Sequence, residues 1–318
     1  ATTAARNTHM ALAAQARLNC VGASQRARLP RLKENPMHSS MPASPARWVL
    51  QPEQVLPTWQ IIAENDATDS ANPMHDDATA RQLGFAGGLV PGVTLYGYLT
   101  HPLIALFGEA FLHQGSFEAR FRRPVYAGET LTTHVRVSTC NDTTYTFELA
   151  LKNAAGEACV VGSASFPGQA RELPTLTHSV PLPAVRRPAT PEALGSDPQL
   201  GTLHEIFTPA QSAVLLRGMG EDLALYQSVV HPAWLLRQAN MVVDSNVAVG
   251  PWIHVASKIE HFGVVPLNEP YTVHARVAGL SVQKNHDYAD FEVTIATTQV
   301  VMWVMHRAIY RMGAALQA

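Results

Sequence analysis

A histidine stands in a short polar turn, Asn72-Pro73-Met74-His75-Asp76-Asp77. Imidazole titrates closest to neutrality of any side chain, so His75 can act as a general acid or base toward a water. Asp69, Ser70 and Asn72 supply a carboxylate, a hydroxyl and an amide within a few residues of it. Further on, Val90-Pro91-Gly92-Val93-Thr94 opens an apolar segment. Proline suits the first turn of a helix, and glycine lets a ligand approach the backbone closely. The N–H groups at such a start favour negative charge, which makes Val90, Pro91, Gly92 and Thr94 candidate oxyanion- or substrate-binding positions. Asp76 and Asp77 read as acids opposing the dipole of a short helix rather than as catalysts.

The elements that must hold these groups recur along the chain. Val125, Glu129, Thr132, His134, Arg136 and Val137 match Val265, Glu269, Thr272, His274, Arg276 and Val277 without gaps. The second copy then gains four residues near Gln283 to His286, and the register resumes with Phe147-Glu148 against Phe291-Glu292. Within each copy the apolar residues alternate with period two. Leu131, Thr133, Val135 and Val137 face one way and Thr132, His134 and Arg136 the other, as in a half-buried antiparallel strand. Further strands are expected over Tyr145 to Leu151, Ala158 to Ala164, Tyr288 to Ala296 and Val300 to Tyr310, with Gly156 in a tight turn. Each copy carries one long apolar helix before its strands, from Pro91-Gly92 through Leu106 and from about Pro232 through Val242. Pro102 is expected to kink or interrupt the first.

These features predict an α+β chain with a tandem (double) hotdog architecture, two antiparallel sheets each wrapped on a central helix and able to pair edge to edge. The expected organisation is an N-terminal tail over 1–45, a first hotdog over 46–170, a Pro-rich linker over 171–200 and a second hotdog over 201–318. The tail carries basic residues and no acid before Glu34, which fits a disordered tail, a transit segment or a start at Met37 or Met41.

Composition narrows the function classes. Of 318 residues, 47% are hydrophobic and 15% charged, enough apolar material for a core and too little charge for a disordered chain. A net charge of -2 gives no basic footprint for nucleic acid. Cys20, Cys140 and Cys159 are widely spaced and odd in number, which suggests neither a zinc site nor a disulfide framework and fits a reducing, cytoplasmic setting. No apolar run reaches the length of a membrane span.

The run Asp69-Ser70-Ala71-Asn72-Pro73-Met74-His75-Asp76, then Ala80, Gly84-Phe85 and Pro91-Gly92, resembles the hydratase motif of the MaoC-like, (R)-specific enoyl-CoA hydratases. Phe121-Arg122-Arg123-Pro124-Val125-Tyr126-Ala127-Gly128-Glu129-Thr130-Leu131 looks like the strand that follows it in that family. The resemblance covers about residues 57 to 137, and the second copy lacks the motif. It implies water addition to a 2-enoyl thioester, giving the (3R)-hydroxyacyl product, with the thioester carbonyl polarised at the Gly92 helix start. The implied partner is an acyl-CoA or acyl-carrier-protein thioester; no metal or redox cofactor is suggested, and a homodimer stays open. The family places an Asp two residues before the Asn, where this chain has Ser70. Either a one-residue bulge returns Asp69 to the site, or the acid is lost and Ser70 and Asn72 orient a water for His75.

Two other readings stand beside this one. A hotdog thioesterase would need a carboxylate near a central helix, for which Glu109 and Asp244 are available. A protein that kept the fold and lost the acid would bind acyl thioesters without turnover. His134 and His274 recur in both copies, which favours a structural or surface role. His254 could face the interface between halves, and Arg120, Arg122, Arg123 and Lys258 could contact CoA phosphates, although scattered surface cations are commoner.

Overall fold

The computed structural model describes residues 48–68, 70–141, 143–168 and 172–313, which leaves Asp69 and the expected tail outside the described residues. The first copy runs β1 (Gln60–Ile62), α1 (Asp77–Gln82), α2 (Gly92–Phe107), α3 (Glu109–Gln114), β2 (Ser116–Phe121), β3 (Thr130–Cys140), β4 (Tyr145–Asn153) and β5 (Ala158–Phe166). A connection follows with β6 (Arg187–Pro188) and α4 (Pro191–Ser196). The second copy runs β7 (Leu203–Ile206), α5 (Pro209–Met219), α6 (Pro232–Asn246), β8 (Val247–Ala248), β9 (Ile253–His261), β10 (Pro270–Gln283), β11 (His286–Ala296) and β12 (Val300–Arg311).

Among the described residues the main sheet has ten strands in the order β1-β3-β4-β5-β2-β9-β12-β11-β10-β7. The copies meet where β2 pairs antiparallel with β9, Ala119 opposite Ser257, so each copy covers what would be an open edge of the other. Leu131, Thr133, Val135 and Val137 are buried and their neighbours half-buried, as the period-two pattern requires. Both copies carry a bulge at the same place, between Val137 and Thr139 and between Val277 and Gly279. The extra residues of the second copy lengthen both arms of its hairpin and leave a tight turn at Lys284-Asn285, both with positive φ.

Pro102 is expected to kink or interrupt α2; the helix is not interrupted there and continues to Phe107. A proline inside a helix costs roughly 3 kcal/mol through its missing N–H and its clash with the preceding turn. Val93, Leu95, Tyr96, Leu99, Leu103, Ile104 and Phe107 are all buried on the same helix. At about 1.5–3 kcal/mol per large side chain, that burial outweighs the proline. No helix among the described residues is long and apolar enough to cross a membrane.

Candidate active site

Asn72 caps a single 3-10 turn, Pro73–His75, with its Oδ1 accepting the Met74 N–H at 3.2 Å. The turn points His75 Nδ1 at the Leu89 carbonyl oxygen, 2.7 Å away. A carbonyl can only accept, so the ring proton sits on Nδ1 and the lone pair on Nε2. Burial lowers the His75 pKa; the Leu89 hydrogen bond raises it, Arg237 lowers it and Asp66 raises it. The net shift is downward, which keeps the imidazole neutral and basic near pH 7. Asp76 and Asp77 do the work expected of helix-start acids. Asp76 accepts the Thr79 N–H at 2.8 Å, and Asp77 accepts from Gly88 N and Arg81 Nη2, both at 2.8 Å.

His75 lines a cavity of about 400 Å³ together with Asp66, Ser70, Asn72 and Pro91 of the first copy. The opposite wall is one face of α6, where Trp234, Arg237, Asn240, Met241, Asp244 and Ser245 are half-buried, and Trp252 completes it. Three acidic positions therefore need separate accounts. Asp69 lies outside the described residues. Asp66 is held between Arg237 Nη2 at 2.5 Å and the Thr94 hydroxyl at 2.8 Å, a carboxylate already engaged on both oxygens. Asp244 has a different setting: burial pushes its carboxyl up to about 6, against the opposing pull of the Trp252 indole N–H at 3.2 Å and of Arg186.

The named positions separate in space. Ser70, Asn72, His75 and Pro91 share the cavity. The Asn72 amide is committed to backbone: its Nδ2 donates to the Trp252 carbonyl at 2.9 Å and its Oδ1 accepts the Trp252 N–H at 3.3 Å, so Asn72 positions the turn. Thr94 is buried and holds Asp66. Val90 and Gly92 line a second, smaller cavity of about 190 Å³ with Phe121 and His254. A Cβ on Gly92 would lie 2.7 Å from His254 Nδ1, so glycine is required there by close packing. Glu109 is exposed and paired with His113. Arg123 and Lys258 pair with the surface acids Glu157 and Glu118. The reading of the chain missed Asp66, Arg237 and Trp252 as site residues, because each gains its place from contacts more than a hundred residues away.

The two copies differ at their helix starts. No side chain caps α2, whose N-cap is Pro91. In the second copy His231 holds the corresponding place and its Nδ1 accepts the Ala233 N–H at 3.1 Å, capping α6. That bond places the His231 proton on Nε2, which faces Glu221 Oε2 at 3.6 Å. Glu221 is buried and also accepts from His101 at 2.9 Å and from the Asp222 and Leu223 N–H groups, both at 2.9 Å. Burial alone would raise the Glu221 pKa, but these donors hold it well below the usual carboxylate range. His101, Glu221 and Asp222 are close enough to share a metal ion. The Glu221 carboxylate is already satisfied by protein donors, and His101 Nδ1 carries the proton it donates to that carboxylate, so this nitrogen has no lone pair for an ion. Trp59 stacks on His101 at 4.0 Å and closes the cluster. The start of α6 is thus closed by buried side chains, whereas no side chain caps α2.

No family model and no curated protein sequence matches the chain. Solved structures do. A protein from Chloroflexus aurantiacus named as a MaoC domain dehydratase superposes with a TM-score of 0.58 at 11% identity, over 83% of this chain and 97% of that one. A conserved Mycobacterium tuberculosis protein with a double hotdog fold gives 0.53 at 13% identity, over 82% and 96%. The fold is a double hotdog. A structure from Lactobacillus plantarum named as an oleoyl thioesterase also aligns, with 0.48 at 13% identity over 82% and 98%. At such identities the likeness shows the double hotdog and not its chemistry, which has to be argued from the site.

Proposed function

We propose that this double hotdog is an acyl-thioester hydratase/dehydratase acting on the 2-enoyl-CoA and (3R)-hydroxyacyl-CoA pair, with His75 moving the proton of the water. The observation that carries the reading is the Leu89 hydrogen bond, which leaves His75 Nε2 as a free base at a cavity bordered by Pro91, the uncapped start of α2. Hydration needs a base for the water, which the neutral imidazole supplies, and donors for the enolate-like oxygen, for which the uncapped α2 start next to Pro91 is the nearest source. The acyl group fits against Trp234, Met241 and Trp252, contributed by the copy that lacks the motif.

The test is hydration of crotonyl-CoA, followed as loss of the enoyl-thioester absorbance. His75→Ala is expected to lower kcat about 10²–10⁴-fold, the usual worth of a positioned acid or base. Absence of hydration by the unmodified protein on short, medium and branched enoyl-CoAs would sink the reading. A thioesterase is favoured by one observation, the presence of Asp244 in the same cavity, where a carboxylate could direct water at the thioester carbonyl. Thiol release measured in the same reactions separates the two: hydrolysis frees CoA, and hydration does not.

A further inference from the structure

We infer that Asp244, carried by the second copy, is the general acid that works opposite His75. The assignment rests on the hydratase reading and supplies the acid that the first copy does not offer among the described residues. In the first copy Ser70 occupies the place of the expected acid, and Asp66 is bound by Arg237 and Thr94. Asp244 lies on the α6 face that lines the His75 cavity, and no cation pairs with its carboxylate among the described residues.

One side chain ties the two groups together. The Trp252 indole donates to Asp244 Oδ1, while the Trp252 peptide is gripped at its N–H and its carbonyl by Asn72, the cap of the His75 turn. Base and acid therefore belong to a single hydrogen-bonded frame that spans both copies, as concerted proton transfer to opposite ends of a double bond requires. Four charged or titratable groups surround Asp244: Arg186 from the connection, Arg237 on its own helix, and Asp66 and His75 across the cavity. Burial is the largest influence on both groups and moves them toward each other, raising the Asp244 carboxyl to about 6 and lowering His75, so protonated acid and neutral base coexist around pH 6 and the protonated fraction of Asp244 shrinks toward pH 7.

In the step, His75 Nε2 takes a proton as the water oxygen bonds to C3. The C2–C3 π pair moves toward the thioester and then takes the Asp244 proton at C2. Water is added across the bond, leaving imidazolium and carboxylate, which exchange one proton through solvent to reset.

Asp244→Asn keeps an acceptor for the Trp252 indole. In the full chain with crotonyl-CoA it is expected to lower the hydration kcat about 100-fold with KM little changed. The wild-type kcat should fall as pH rises through about 6, and that limb should vanish in the variant. Trp252→Phe removes the donor that favours the carboxylate and should move the limb to higher pH. Wild-type kcat and an unchanged limb in Asp244→Asn, with His75→Ala inactive, would overturn the assignment and leave the hydratase reading intact. If Asp244→Asn fails to fold by circular dichroism, an unmoved limb in Trp252→Phe overturns it instead. No hydration by the wild type overturns both.

Discussion

Asn72 shows how one amide can set a site through the backbone groups it holds. It caps the His75 turn and holds both backbone groups of Trp252, a residue of the other copy. Asn72→Ala would strand a buried N–H and a buried carbonyl, each worth roughly 1–3 kcal/mol when left unpaired. The expected outcome is a loss of about 2 kcal/mol or more in urea unfolding, together with a fall in kcat, because the His75 turn and Trp252 would no longer be held in register. Unchanged stability would mean that the two copies do not rely on this contact.

The central helices divide the labour. Helix α2 begins without a side-chain cap, while α6 begins under His231 and the buried Glu221 cluster. The α2 start is also closely packed, with Gly92 against His254 of the second copy and Phe121. A Gly92→Ala substitution puts a methyl 2.7 Å from His254 Nδ1 and 3.1 Å from Phe121 Cζ. Overpacking of this kind costs about 1–3 kcal/mol, so thermal unfolding should come several degrees earlier and kcat should drop as the helix start shifts. Adding His254→Ala makes room, and the double variant should regain part of the activity. If it is no better than Gly92→Ala alone, crowding against His254 is not the cause.

Across the whole molecule, buried histidines gather near the junction of the copies. His231, His254, His261 and His306 are buried, and burial lowers the pKa of each, His261 and His306 to about 3. His254 and His306 share the Ser257 hydroxyl, at 2.8 and 3.2 Å, with ring centroids 4.0 Å apart and planes tilted by 32°. Their folded pKa lies below the unfolded one, so the unfolded chain binds protons that the native chain refuses. Stability from this source is complete above the unfolded value near 6.5 and falls as pH drops below it. Four such groups give a slope of about 5 kcal/mol per pH unit at most. Tm should therefore hold between pH 7 and 8 and fall steeply toward pH 5; an equal Tm at pH 7 and pH 5 would contradict neutral burial of these rings.

What the residue order determined by itself was local and repetitive. Alternation made the strands legible, the duplicated Glu-Thr-His-Arg-Val pattern announced two copies, and the Asn-Pro-x-His turn singled out the first copy for the candidate site, since each signal lies within a few neighbours along the chain. Tertiary structure alone decided which groups share the cavity. Asp66, Arg237, Asp244 and Trp252 meet His75 only because β2 and β9 join the copies into one sheet and bring α6 across from the His75 turn. It also put Gly92 against His254, and it carried α2 through Pro102, because burial summed over a whole helix exceeds what one residue's local preference can oppose.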